Sequence, residues 1–179
     1  MVGIKIQNVF DHMGRGMVDQ ALAELYSAVR ITASGVYDSA LDGDAQCRRF
    51  LHDRMEIILG TWLGTVAAPG LHIAPRKESD VCIPMEDILL DLLKTAADGK
   101  SPAVIWKNAG QMMIFRDGKL YSSLSLVWGI VLAVMTCPFN KDQRIGENCW
   151  LSTMTFKYLA NDLWGEEKQV LRMLQMQTD

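Results

Sequence analysis

A stretch without charged residues, residues 120–140, constrains this chain more than any other feature. Its centre, residues 124–137 (LSLVWGIVLAVMTC), is apolar on every side. A helix without a polar face has to be surrounded, either by a protein core or by a bilayer. A membrane-spanning helix needs about 20 apolar residues, and this centre is shorter. The stretch therefore predicts a central buried helix over about residues 123–137, although a strand bending into a helix, or membrane association of residues 120–140, also fits.

Composition is typical of a folded soluble chain. The 179 residues are 49% hydrophobic and 22% charged, and no linker divides residues 1–179, so we expect a single domain. A net charge of −3 lacks the basic footprint of proteins that bind duplex nucleic acid. The four cysteines have no metal-binding or redox spacing, and no secretory signal is visible. We therefore expect a cytoplasmic protein without a cofactor.

The spacing of the remaining apolar residues predicts several amphipathic helices. Cys47, Leu51 and Met55 recur at helical intervals, and Asp44 is suited to cap the helix that contains them. Residues 32–43 are rich in turn-forming residues and predict a loop. The predicted helices cover residues 17–30, 44–66, 84–99, 123–137, 150–164 and 166–176.

Two regions have the alternation that is typical of strands. Val2, Ile4 and Ile6 alternate with small or polar residues, which predicts a short strand at the start of the chain. A three-stranded antiparallel meander is predicted over about residues 103–121, because turn signals separate three short apolar runs there. Such a sheet needs a covered face. The predicted fold is therefore α+β, with five or six helices packed on this meander and the apolar helix at the centre.

One candidate for chemistry is a cluster around His52. His52 lies beside Asp53 and one helical turn before Glu56, so His52 and Glu56 share a face. Such a pair could bind a metal ion or transfer a proton. A hydrogen-bonded pair on an exposed helix face explains the same spacing.

A second candidate is the acidic group Glu86, Asp87 and Asp91 at the start of a predicted helix. Carboxylates are the ligands that magnesium prefers, so either cluster would suit a metal-dependent hydrolase. Acidic residues at a helix N-terminus are also explained by the helix dipole alone. Because no nucleophile elbow or zinc-binding helix motif is present, the sequence favours a protein that is not an enzyme.

The predicted sheet has apolar residues on both faces. A sheet of this kind is either covered twice or buries one face against a partner. We predict Trp106, Met113 and Phe115 as the contact set, with Trp106 on one face and the other two opposite. Eleven methionines add adaptable apolar side chains. The sequence therefore predicts a protein-binding adaptor, inhibitor or self-assembling accessory protein, for which the partner is another protein or a second copy of the chain.

Overall fold

A computed structural model of the chain describes residues 1–64, 72–73, 83–107, 113–116, 119–152 and 157–176. These residues contain seven α-helices and several short strands, which confirms the α+β class. The helices are α1 (Val2–Gly14), α2 (Val18–Val36), α3 (Gly43–Asp53), α4 (Met55–Leu63), α5 (Met85–Ala97), α6 (Ser125–Thr136) and α7 (Glu167–Gln175). The strands are β1 (His72–Ile73), β2 (Ile83–Pro84), β3 (Val104–Lys107), β4 (Met113–Arg116), β5 (Lys119–Ser123), β6 (Trp150–Ser152) and β7 (Lys157–Leu159).

Helix α6 lies at the centre of the core, as the uncharged stretch predicts. All of its residues from Leu126 onward are buried except Trp128, which is partly buried against the core. Its closest neighbour is α4, because a Cβ on Gly129 would lie 2.7 Å from the carbonyl oxygen of Ile58. Within the described residues, no helix has both the length and the apolar character needed to cross a membrane.

Helix α1 replaces the strand predicted at the start of the chain. Val2, Ile6 and Val9 are buried on one face, at intervals of a helical turn. Ile4, which completes the alternation in the sequence, is 56% exposed. The strand prediction is wrong because a few alternating residues fit a period of two as well as a period of 3.6.

Two helix boundaries also differ from the prediction. Helix α2 continues to Val36, into the predicted loop, because Thr32 and Ala33 extend its buried face. The buried hydroxyl of Thr32 donates to the carbonyl of Ala28 at 2.9 Å. The helix predicted from Asp44 begins earlier, since Asp42 accepts a hydrogen bond from the Ala45 N–H at 2.8 Å. It also divides at Arg54 into α3 and α4.

The three strands from residue 104 to residue 123 form one sheet in the order β3-β5-β4. Strand β4 is antiparallel to β5, as predicted. Strand β3 is parallel to β5 and does not neighbour β4, so the prediction of a fully antiparallel meander is wrong for β3. The turns at residues 108–110 and 117–118 lie outside the described residues. Strand β5 leads directly into α6, and its Leu120 and Ser122 are buried, which suits the middle position in a sheet.

The prediction of a helix over residues 150–164 is wrong. The described part of this region contains the antiparallel pair β6 and β7, followed by the 3₁₀ turn Ala160–Asp162. Trp150 is exposed while its neighbour Leu151 is buried, which is the alternation of a strand. Helices α5 and α7 agree with their predictions to within a few residues.

Candidate interaction surface

The two clusters predicted for chemistry meet at the contact between α3 and α5. Residues 44, 48 and 52 follow one another at intervals of four residues, so they form one stripe on α3. Each of them forms an ion pair or a hydrogen bond with a residue on α5. The three pairs are Asp44–Lys94, Arg48–Asp87 and His52–Glu86.

Within the His52 cluster, the three side chains contact different partners. His52 Nδ1 lies 3.1 Å from Glu86 Oε1. The Tyr37 hydroxyl donates to Asp53 at 2.7 Å, and burial together with this bond raises the pKa of Tyr37. Glu56 accepts from the side-chain amide of Gln175 at 3.0 Å.

These pairings give both clusters a structural role in holding helices together. Among the residues that the structure describes, no three His, Cys, Asp or Glu side chains lie close enough to hold a metal ion. In the acidic cluster, Glu86 pairs with His52 and Asp87 pairs with Arg48, so both carboxylates contact α3.

The contact set predicted on the sheet is described only in part. Trp106 and Met113 are both in register with Ser122, and Phe115 is in register with Leu120. Positions 120 and 122 of β5 lie on one face of the sheet, so the register places all three residues on that face. The prediction that Trp106 lies opposite the other two is therefore wrong. The Trp106 side chain is partly buried and packs against the core. The side chains of Met113 and Phe115 lie outside the part of the chain that the structure describes, so this contact set stays a prediction.

A different group of exposed apolar residues lies on the start of α1, on the end of α2 and on the 3₁₀ turn Pro138–Asn140, and both α1 and the turn pack against α2. Four large apolar side chains are exposed there, and we call them the Phe139 surface. They are Met1 (81% exposed), Ile4 (56%), Ile31 (38%) and Phe139 (53%). Groups of large apolar side chains exposed on neighbouring elements are typical of interaction sites, whereas single exposed apolar residues are common everywhere.

The position of Phe139 is set by its contacts with α2. Its ring lies against Gly35, one helical turn after Ile31, and a Cβ on Gly35 would overlap the ring. The next residue, Asn140, is buried and donates to Thr32 Oγ1 at 2.9 Å and to the carbonyl of Val134 at 2.8 Å. This buried amide fixes the turn, and with it the ring, on the end of α2.

The start of α1 is attached to the segment that follows the turn. The Gly3 N–H donates to Gln143 Oε1 at 2.9 Å, and a Cβ on Gly3 would overlap the carbonyl oxygen of Arg144. A depression of about 250 Å³ lies beside this contact. It is lined by Met1, Gly3, Ile4, Asp142, Gln143 and Arg144.

The sequence analysis missed this surface because its parts were assigned elsewhere. Ile4 belongs to the buried face of the predicted strand, and Ile31 and Phe139 lie just beyond the predicted helices 17–30 and 123–137. One signal was available: in a helical arrangement, Ile4 falls outside the stripe formed by Val2, Ile6 and Val9.

Comparison with known proteins relates the whole chain to one family. A family model described as Rv1289 matches residues 1–179. No curated protein and no solved structure matches the chain. The description of the family names no activity, so the function has to be argued from the surfaces of the molecule.

Proposed function

The chain belongs to the Rv1289 family, and we propose that it is a non-enzymatic protein-binding protein whose partner is a second copy of itself. The observation that carries this proposal is the Phe139 surface, on which four large apolar side chains remain exposed. Removing an exposed apolar surface from water lowers the free energy of the system, so such a surface favours association.

The shape of the surface favours self-association over binding of an unlike partner. In a two-fold symmetric dimer, the same surface of each copy meets its counterpart, so it has to be complementary to itself. The ring of Phe139 is 53% exposed, and the depression beside Ile4 is lined by residues a few positions farther along the chain. The ring of one copy would enter the depression of the other, and the contact would be repeated by symmetry.

The charges around the depression support the same partner. Asp142 and Arg144 are both exposed and line the depression together. In a symmetric contact, Arg144 of one copy can lie next to Asp142 of the other. A border that carries both signs is complementary to itself, whereas a border of one sign would indicate a partner of the opposite charge.

The interface is small, so we expect a weak dimer. Full burial of an apolar side chain contributes about 1.5–3 kcal/mol, and association costs about 4–15 kcal/mol in lost translational and rotational freedom. The four side chains of the Phe139 surface are already partly buried in the single chain, which reduces their contribution. A dissociation constant between about 1 μM and 1 mM is the expected result.

The test is sedimentation velocity over a range of protein concentrations. Wild-type protein is expected to change from monomer to dimer as the concentration rises, and Ile4→Asp is expected to remain monomeric because it places a charge in the interface. Met176→Asp is the matched control, since Met176 is 70% exposed and lies outside the Phe139 surface. A wild type that stays monomeric at millimolar concentration would contradict the proposal.

The same measurement separates the Phe139 surface from the sheet surface predicted at Trp106, Met113 and Phe115. Phe115→Asp is expected to leave the dimer intact. If Phe115→Asp gives monomers and Ile4→Asp does not, the sheet is the interface and the Phe139 surface is not.

We also propose that the protein works in the cytoplasm. Cys47, Cys137 and Cys149 are free thiols, and free thiols persist in a reducing compartment. Cys82 lies outside the described residues.

A further inference from the structure

We propose that the cleft between α1, α2, α3 and α5 binds a small organic anion, and that Arg30 holds the carboxylate or phosphate group of this ligand. The cleft has a volume of about 630 Å³, which is in the usual range for small-molecule sites of about 300–1,000 Å³. The residues that carry the argument are Lys5, Tyr26, Ser27, Arg30, Ser34 and Asp98. The proposal does not depend on self-association.

Arg30 is the cation in the cleft that is available to a ligand. None of the ion pairs among the described residues includes Arg30, whereas Lys5 is paired with Glu24 at 2.9 Å. A guanidinium group presents its N–H donors in a planar fork that matches a carboxylate or a phosphate. An anion that enters the cleft therefore meets a guanidinium group that no ion pair among the described residues already occupies.

The side chain of Arg30 is supported by the wall of the cleft. Its Cζ lies 5.8 Å from the centre of the Tyr26 ring, which is within the range of a cation–π contact. This contact limits the freedom that Arg30 would lose when it binds a ligand. Gly43 has no side chain to fill the space beside Arg30, since Nη2 lies 4.0 Å from the position of a Cβ there.

Ser27, Ser34 and Asp98 provide hydrogen-bond acceptors on the wall of the cleft. The hydroxyl of Ser27 donates to the carbonyl of Ala23 at 3.3 Å, and that of Ser34 donates to the carbonyl of Ile31 at 3.0 Å. Both oxygens retain lone pairs that can accept a hydrogen bond from a ligand. The carboxylate of Asp98 is a further acceptor. The ligand should therefore carry hydroxyl or amino groups in addition to its anionic group.

The ligand class that follows is a small hydroxylated or amino-substituted carboxylate or phosphate. We would titrate the protein with glycerol 3-phosphate, glycerate and uncharged glycerol, and follow binding by isothermal calorimetry and amide chemical shifts. The two anions are expected to bind, with shifts centred on Gly43 and Ala97, and glycerol is not. Tighter binding of glycerol 3-phosphate would identify a phosphate ligand, and tighter binding of glycerate a carboxylate ligand.

Substitutions at the cleft provide the decisive comparison. Arg30→Met keeps the apolar stem without the charge and is expected to weaken anion binding at least tenfold, while Arg30→Lys retains part of the affinity. Arg15→Met is the matched control, because Arg15 is an exposed arginine outside the cleft. Gly43→Leu keeps the charge of Arg30 but fills the neighbouring space, and it should also weaken binding.

The proposal is overturned if neither anion binds, if glycerol binds as tightly as the anions, or if Arg15→Met weakens binding as much as Arg30→Met. Ile31 lines the cleft and also belongs to the Phe139 surface, so sedimentation of Arg30→Met separates the two proposals: it is expected to associate like the wild type while it binds the anions more weakly. Circular dichroism of each variant confirms that the comparison is made between folded proteins. Gly43→Leu keeps the test valid should Arg30→Met fail to fold.

Discussion

The ring of Phe139 lies against Gly35 of α2, in the space that any side chain at position 35 would need. Both residues are at the surface, and the ring is 53% exposed. The missing side chain at Gly35 therefore allows an aromatic ring to lie against the helix without being buried in the core. This arrangement places the ring beside Ile31 and forms the Phe139 surface.

Gly35→Ala is expected to weaken self-association without unfolding the chain. The new methyl group would displace the ring, which is free to rotate into solvent. Alanine stabilises a helix by about 0.5–1 kcal/mol relative to glycine, so the free energy of unfolding should be unchanged or higher. Thermal melting followed by circular dichroism, together with sedimentation of the same sample, checks both statements. Self-association as strong as in the wild type would show that the position of the ring is unimportant.

Asn140→Ala is expected to lower the free energy of unfolding by about 1–3 kcal/mol, because it leaves buried polar groups without their donor. Asn140 Nδ2 serves Thr32 Oγ1 and the carbonyl of Val134. Urea denaturation of Asn140→Ala, Thr32→Val and the double variant measures how strongly the two side chains are coupled. Effects that simply add would contradict a direct bond between them.

Gly129→Ala is expected to destabilise the chain by about 1–3 kcal/mol through overpacking. A Cβ at this position would lie 2.7 Å from the carbonyl oxygen and 3.2 Å from the Cα of Ile58, which are backbone atoms that cannot rotate away. Gly14→Ala is the control, since no atom lies within 4 Å of the corresponding Cβ. Equal stability of the two variants in urea would disprove the close contact between α4 and α6.

The cysteines should differ in their reaction with iodoacetamide. Burial raises the pKa of Cys47 to about 11, so only about one thiol in a thousand is a thiolate at pH 8. Cys137 is buried, whereas Cys149 is partly exposed. In native protein, peptide mapping by mass spectrometry should find Cys149 modified first, and Cys47 only after denaturant is added. Because the raised pKa disfavours the thiolate, raising the pH to 9 should leave Cys47 protected; modification of native Cys47 as fast as Cys149 would refute this.

The parts of the fold that were predicted are those governed by local composition. Helix α6 is apolar in every direction, and α5 begins directly after Pro84, with Glu86 and Asp87 in its first turn. Such signals need no knowledge of the rest of the chain. The pairing between the two candidate clusters left no such signal, because His52–Glu86 and Arg48–Asp87 join residues 34 and 39 positions apart in the chain.

The incorrect predictions concern short patterns that fit two structures. The start of α1 was read as a strand because Ile4 is apolar, and residues 150–164 as a helix because a few apolar residues recur at helical spacing. The order β3-β5-β4 was missed for another reason. The turn signals between the strands specify neighbours along the chain, whereas burial of β5 beside α6 decides which strand lies in the middle.

Local composition is enough to require that residues 124–137 are enclosed, because transfer of an uncharged apolar segment out of water is favourable whatever surrounds it. The packing of α4 against this segment, the exposure of Ile4 and the position of Phe139 on α2 follow from long-range contacts instead. Those outcomes depend on bonds such as Asn140–Thr32 and Gly3–Gln143, whose partners are 108 and 140 residues apart in the chain. Contacts between such distant residues leave no periodic pattern in the sequence.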